Sequence, residues 1–133
     1  MSSKNIICLD VGEKRIGIAV ADTSVRIAMP YETIDVDGGE IDDISKLVDV
    51  QKPKVVVIGY PRNQSGEPTK QTKKVEEFAS MLEPLGVTIV FQDESLTSVA
   101  AEERLKSHGR PYAKADIDAQ AATIILQDYL EQV

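Results

Sequence analysis

Residues 5–22, NIICLDVGEKRIGIAVAD, decide the fold because two apolar runs flank a short polar turn. Residues 5–10 are typical of a buried strand, and residues 11–14 carry a glycine that favours a tight turn. Residues 15–22 form a second apolar run, in which Gly17 allows another backbone to approach closely. This pattern predicts that the chain begins with an antiparallel hairpin.

The spacing of apolar residues predicts further strands and helices along the rest of the chain. We predict strands within 27–36, over 54–59 and over 87–91, a polar loop over 60–68, and helices over 40–51, 69–85, 96–107 and 116–130. The order β-β-β-α-β-α-β-α-α indicates a single α/β domain spanning residues 1–133. We expect a mixed five-stranded sheet, antiparallel at its start and then parallel, with helices on both faces.

The composition fits one globular domain and excludes several classes of site. The chain has 133 residues, with 15 Lys and Arg against 22 Asp and Glu. A single cysteine, Cys8, excludes a disulfide framework and a zinc site with several thiolates. A single histidine, His108, excludes a His-rich metal site, and the apolar runs are too short for a transmembrane helix. Because no signal-peptide pattern is visible, we expect a cytoplasmic protein that does not bind membranes.

The net charge of −7 bears on the kind of partner that the chain can bind. It argues against binding nucleic acid through a diffuse basic surface. It is compatible with a metal-dependent nuclease, since such an enzyme gathers acids at its centre and bound cations change the local charge. The positions of the charged residues are therefore more informative than their sum.

Acidic residues follow two of the predicted strands, at the edge where ligands bind in open α/β sheets. Asp10 ends the first strand, and Asp93 and Glu94 follow the last one. Adjacent residues of an extended strand face opposite sides, so only one of this pair can join Asp10, and its longer reach favours Glu94. The alternatives are that Asp10 caps the hairpin turn and that Asp93 caps the next helix.

A third acid, Asp118, lies near the start of the last predicted helix. Helical spacing places it on an otherwise apolar face, with Ala121, Ala122, Ile125 and Tyr129. A carboxylate at the head of a buried stripe is costly unless a basic side chain or a metal pairs with it. The alternative is a favourable place in the helix dipole, a role that Asp116 fills better as the predicted N-cap. A second face of the helix, with Asp116, Gln120, Thr123 and Gln127, is polar, and we expect Asp116 to point toward water or to cap the helix.

Three carboxylates without a cluster of His or Cys favour Mg²⁺ or Mn²⁺ as the cofactor. Such sites perform phosphoryl chemistry, in which the metal ions activate water and stabilise the attacking and leaving oxygens. We therefore expect an acidic, metal-dependent site where the predicted strands end.

Four segments together resemble the YqgF/RuvX family, whose members are described as nucleases of pre-16S rRNA and as Holliday junction resolvases. The segments are LDVGEKRIGIAVAD at 9–22, VVVIGYPRNQSG at 55–66, FQDESLTSVAAEERL at 91–105 and DIDAQAATIILQDYL at 116–130. They occur in the family's order and span nearly the whole chain. The resemblance implies a three-layer RNase H-like fold and a catalytic, metal-binding triad of Asp10, Glu94 and Asp118. Ser95 departs from the family, which usually has arginine there.

Several basic and polar residues are candidates for contacting a phosphate backbone near the acids. They are Lys14 and Arg15 in the hairpin, Arg62 and Asn63 in the central loop, and Thr97, Arg104, Lys106, Arg110 and Lys114 around the last two helices. Few aromatic residues are available for base stacking, so we expect recognition of shape and backbone. The alternative for each basic residue is a solvated charged surface.

The resemblance favours a nuclease that processes the 5′ end of pre-16S rRNA in ribosome biogenesis, with structured RNA as its partner. The alternative substrate is branched DNA, cut as by a Holliday junction resolvase in recombination or repair. Two other classes stay open: a nucleotide-binding domain, since Asp-x-Gly in a hairpin also resembles actin-like phosphate loops, and a non-catalytic module that binds nucleic acid or protein. No dimerisation signature is visible, so we expect a monomer or a weak homodimer.

Overall fold

The structure is a computed structural model that describes residues 5–61, 69–94, 97–109 and 113–132, with the backbone alone for Glu94 and for 97–100. Within these residues, the strands are β1 Asn5–Val11, β2 Arg15–Asp22, β3 Met29–Asp35, β4 Val55–Pro61 and β5 Ile89–Glu94. The helices are α1 Glu40–Gln51, α2 Lys70–Leu82, α3 Thr97–Ser107 and α4 Lys114–Gln132, and the 3₁₀ turn Glu83–Leu85 continues α2. None of these helices, taken over the described residues, has the length and apolarity of a membrane span.

The strands form one mixed sheet in the order β3-β2-β1-β4-β5. β1 pairs antiparallel with β2, and β2 with β3, whereas the β1–β4 and β4–β5 pairs are parallel. This confirms the predicted α/β class, the opening hairpin and the later parallel crossovers. The prediction of 87–91 for the last strand was wrong at both ends. Its pairing with β4 begins only at Ile89, beside Val56, and continues until Glu94 lies beside Pro61.

Alternating residues of the central strands build two separate cores. Toward α1 and α2, the core contains Ile7 and Leu9 of β1. Toward α4, it contains Ile6 and Cys8, which pack with the buried α4 residues Ala122, Ile125 and Leu126. β1 therefore directs its even-numbered side chains to the α4 face, and Asp10 is the next even-numbered residue along the strand.

Helix α4 is enclosed on more sides than its sequence pattern predicts. Gln120 and Thr123 are buried rather than exposed to water, in a helix that packs against α3 as well as against the strands of the sheet. The Thr123 hydroxyl donates to the Ala119 carbonyl at 2.8 Å, so its polar group is satisfied within the helix. Gln127 accepts a hydrogen bond from the Ala28 N–H at 3.0 Å. The polar face of this helix is therefore largely buried, although Asp116 is exposed as predicted.

The start of α4 also differs from the prediction. The helix begins at Lys114, so Asp116 occupies its third position and is not the N-cap. From there its Oδ2 accepts the N–H of Ala113, the residue before the helix, at 2.8 Å, as in the second half of a capping box. Thr33 of β3 adds a further anchor by donating its hydroxyl to the Ala115 carbonyl at 2.6 Å. The first turn of α4 is thus held by its own side chain and by the sheet.

Candidate metal and nucleic-acid site

The hairpin places Asp10 directly opposite Gly17. Their Cα atoms are partners in the antiparallel ladder between β1 and β2. Residues opposite each other in such a ladder project to the same face of the sheet. The Asp10 side chain and the open side of Gly17 therefore both face α4, in agreement with the alternation of the two cores.

Gly17 allows the backbone of α4 to pack directly on the hairpin. A Cβ atom at position 17 would overlap the Asp118 carbonyl group and lie 2.9 Å from the Ala119 nitrogen, inside the 3.0 Å that real Cβ atoms keep. These are backbone atoms, which cannot rotate away as a side chain could. The close backbone approach predicted at Gly17 is confirmed, and the residue that approaches is Asp118.

Asp10 and Asp118 therefore both adjoin Gly17, although they come from opposite ends of the chain. Asp10 is the partner of Gly17 across the β-ladder, and the backbone of Asp118 packs on Gly17 from α4. Both residues are partly buried. Partial burial lowers the local dielectric, which strengthens electrostatic interactions, and leaves the carboxylates accessible to a ligand.

Arg15 is the side chain that pairs with Asp118. Its Nε donates to Asp118 Oδ2 at 2.5 Å, and the two side chains are 32% and 26% exposed. Arg15 lies two residues before Gly17, so both face α4 from the same strand. Its backbone is fixed because its carbonyl accepts the Gly12 N–H at 2.9 Å. The sequence predicted a basic partner or a metal for Asp118, and the structure shows Arg15 as the basic partner.

The register of β5 assigns the third predicted acid to a face of the sheet. Val57 belongs to the core beneath α4, and alternation along β4 carries this face to Pro61, whose partner on β5 is Glu94. Position 94 therefore falls on the same face as Asp10, whereas position 93 falls on the opposite face. The side chain of Glu94 lies outside the described part of the chain.

The donors assembled here suit a hard divalent cation. Asp10 and Asp118 offer carboxylate oxygens, the ligands that Mg²⁺ and Mn²⁺ prefer. Asp118 already binds a cationic guanidinium, so this position stabilises positive charge. Among the side chains that the structure describes, no group of three or more His, Cys, Asp and Glu is arranged to hold a metal. The side chain of Glu94, the third predicted acid, is not among them.

Four of the predicted nucleic-acid contacts lie within the described residues, in addition to Arg15. Lys14 is exposed in the hairpin turn, and Lys114 is exposed one helical turn before Asp118. Arg104 and Lys106 are exposed in the last turn of α3. The remaining predictions, Arg62, Asn63, Arg110 and the side chain of Thr97, fall outside the described part of the chain.

Helix α2 anchors the hairpin turn between Asp10 and Arg15. Lys74 Nζ lies 2.9 Å from Glu13 Oε1, and this hydrogen bond, with the charge of Lys74, lowers the pKa of Glu13 from its ordinary value of 4.5. The ion pair therefore contributes to stability at pH values above 4.5, and this contribution is lost as the pH falls through the lowered pKa of Glu13. Gln71 adds a second anchor by donating its Nε2 to the Val11 carbonyl at 2.8 Å.

Comparison with known proteins identifies the group to which this architecture belongs. A family model described as "RuvX: Holliday junction resolvase" matches residues 4–132. The chain belongs to the RuvX family. RuvX relatives include a protein of Chloroflexus aurantiacus, 44% identical over 136 residues, and one of Lactococcus lactis, 36% identical over 133 residues. These alignments cover 98% and 95% of this chain and 89% and 93% of the relatives. Both relatives are provisionally named pre-16S rRNA nucleases.

Two solved structures share the fold of this RuvX chain. RuvC of T. thermophilus in complex with a Holliday junction substrate has a TM-score of 0.61 at 14% identity and covers 96% of this chain and 94% of its own. The Fowlpox virus resolvase in complex with Holliday junction DNA has a TM-score of 0.57 at 12% identity, with coverages of 96% and 97%. At such identities the likeness shows the fold alone. It confirms the three-layer RNase H-like architecture that the sequence resemblance implies.

Proposed function

We propose that this chain is a divalent-metal-dependent nuclease that hydrolyses phosphodiester bonds in structured RNA. Its proposed reaction is the processing of the 5′ end of pre-16S rRNA in the cytoplasm, during ribosome biogenesis. The observation that carries the proposal is the convergence of Asp10 and Asp118 at Gly17. Membership of the RuvX family supports the nuclease class, and the names of the curated relatives support the ribosomal substrate.

Asp10, Glu94 and Asp118 are the residues that would hold Mg²⁺ or Mn²⁺. When bound, such an ion activates water and stabilises the attacking and leaving oxygens of an in-line displacement. The chain itself orients the carboxylates, because Gly17 brings the backbone of α4 onto the hairpin and β1 carries Asp10. Hydrolysis adds one water across one P–O bond, and a carboxylate is able to accept the proton that this water releases.

Positive side chains beside the acids favour a phosphate backbone despite the net charge of −7. Lys14 adjoins Arg15 in the hairpin, and Lys114 is close to Asp118 along α4, so positive charge flanks the acidic pair. We propose that these residues contact phosphates rather than bases, which makes binding fall steeply with salt. The proposed contact set also keeps the other candidates: Arg15, Arg62, Asn63, Thr97, Arg104, Lys106 and Arg110.

A four-way DNA junction is the second candidate substrate. The description of the matching family model favours it, and the fold is shared with RuvC. Symmetric cutting of a junction requires two active sites related by a two-fold axis, and therefore a dimer. We propose that the chain is a monomer or a weak homodimer, which does not favour symmetric cutting. We therefore propose structured RNA as the first candidate substrate and the DNA junction as the second.

A cleavage assay tests the proposed function. We expect the purified chain to shorten a labelled precursor RNA that carries the 5′ leader of 16S rRNA when Mg²⁺ or Mn²⁺ is supplied. We expect a chelator to stop the reaction, and a labelled four-way DNA junction in the same buffer to be cut more slowly. Cleavage that persists in chelator would contradict metal dependence. Faster cleavage of the junction would replace RNA with branched DNA as the substrate.

A further inference from the structure

Arg15 binds a carboxylate that the proposed function assigns to a metal ion. The Nε–Oδ2 distance of 2.5 Å makes this a direct charge-assisted hydrogen bond on Asp118. The Asp118 oxygen that accepts from Arg15 cannot at the same time bind a cation without sharing its negative charge. In the absence of nucleic acid, Arg15 therefore competes with a divalent ion for Asp118.

The geometry of Arg15 allows its side chain to change partners while its backbone stays in place. Its carbonyl closes the hairpin turn with Gly12, and its Cα pairs with Asp35 of β3. The side chain is long and about one-third exposed, so the ion pair with Asp118 is reachable from solvent. Ion pairs at this level of exposure are weak, because water and salt screen them.

A phosphodiester offers this guanidinium a second anionic partner, one that does not compete with a metal ion for Asp118. Arginine presents five N–H donors in a planar fork that fits phosphate oxygens two at a time. A phosphate that reaches the hairpin next to Lys14 would meet the exposed part of this fork. Transfer of Arg15 from Asp118 to phosphate would leave the Asp118 carboxylate without its counter-ion at the moment when substrate is present.

We propose that Arg15 is a positioning residue that couples divalent-metal binding to nucleic-acid binding. In the free chain it neutralises Asp118 and weakens metal binding, and on the bound chain it holds a backbone phosphate and releases Asp118 to the metal. This inference rests on the proposed function, since it takes Asp118 as a metal ligand and a phosphodiester as the substrate. Its consequence is that metal and nucleic acid bind with positive cooperativity, which linkage requires to be reciprocal.

The test measures the Kd of Mn²⁺ for the full chain by calorimetry or electron paramagnetic resonance, with and without a short hairpin RNA. For the wild type, we expect the RNA to tighten Mn²⁺ binding by up to about fivefold, which is the upper end of what a partly exposed ion pair contributes. We expect Arg15→Gln to bind Mn²⁺ about fivefold more tightly than the wild type without RNA, with little further gain when RNA is added. Arg15→Lys retains the positive charge and is expected to restore part of the coupling.

Lys74→Gln is the matched control, because it also removes one positive charge that pairs with a hairpin carboxylate, at 2.9 Å from Glu13. We expect its Mn²⁺ affinity to equal that of the wild type. If Lys74→Gln tightens Mn²⁺ binding as much as Arg15→Gln does, net charge explains the effect and the proposal is overturned.

Two further results separate this inference from the proposed function. If Arg15→Gln binds Mn²⁺ more weakly than the wild type or equally well, and the chain still cleaves RNA with Mn²⁺, the coupling role of Arg15 is overturned. The proposed function then stands. If neither the wild type nor Arg15→Gln binds Mn²⁺, with or without RNA, the metal-dependent function fails together with the coupling.

Discussion

Replacing Asp118 with asparagine is expected to lower the rate of RNA cleavage by at least about a hundredfold. Mutating a residue that only supports a metal ligand commonly lowers metal affinity or activity by about 10- to 100-fold, and Asp118 is proposed to bind the metal directly. Asparagine has nearly the same size and still accepts a hydrogen bond from Arg15. It lacks the negative charge that a divalent cation requires. The measurement is the cleavage rate at saturating RNA and Mn²⁺, with circular dichroism showing that the variant is folded.

Asp116→Asn provides the matched control for this substitution. It makes the same chemical change two residues earlier in α4, where the Asp116 carboxylate accepts a hydrogen bond from the Ala113 N–H at the start of the helix. We expect it to cleave RNA like the wild type and to lose about 1 kcal/mol of stability, the typical contribution of a helix cap. Equal losses of activity in the two variants would mean that RNA cleavage depends on the structure at the start of α4 and not on the Asp118 carboxylate.

Gly17→Ala is expected to have the largest effect on stability of any single-methyl addition in the site. The new Cβ would overlap the Asp118 carbonyl group, so α4 or β2 must move. Overpacking against side chains commonly costs about 1–3 kcal/mol, and the rigid backbone here places the expected loss at about 3 kcal/mol or more. Alanine also restricts the unfolded chain, which returns only about 0.4–1 kcal/mol. Urea denaturation measures the free energy of unfolding directly.

Gly39→Ala is the comparison for this prediction. Gly39 precedes α1 with a negative φ of −107°, and among the residues that the structure describes a Cβ there would contact only the Asp37 carboxylate oxygen, at 3.4 Å. We expect a change in the free energy of unfolding within about 1 kcal/mol of zero. A loss as small as this in Gly17→Ala would contradict the direct packing of α4 on the hairpin, and with it the way Asp118 is brought to Asp10.

The elements that carry strong local patterns could be predicted from the sequence. The hairpin follows from two apolar runs around a glycine turn, and α1 has the predicted bounds of 40–51 because its apolar spacing is regular. Asp118 could be singled out because a carboxylate on an apolar helix face needs a partner. Gly17 could be identified because glycine inside a strand suggests close backbone approach.

Features that depend on contacts between distant parts of the chain could not be predicted. The side of α4 that carries Gln120 and Thr123 is polar in sequence, yet both residues are buried in the structure, where α4 packs against α3 as well as against the sheet. The pairing of Arg15 with Asp118 depends on the register between β2 and α4, which no local pattern determines. The later end of β5 likewise follows from its ladder with β4.

The most direct test of the account measures Mn²⁺ binding, in the presence of the hairpin RNA, to the wild type, Asp10→Asn, Asp118→Asn and the double variant. If Asp10 and Asp118 hold the same ion, each single variant binds Mn²⁺ at least about tenfold more weakly than the wild type. The double variant then loses little more than either single one, because residues that share one ion do not act additively. Wild-type affinity in both single variants would contradict the central claim that these two carboxylates form one metal site.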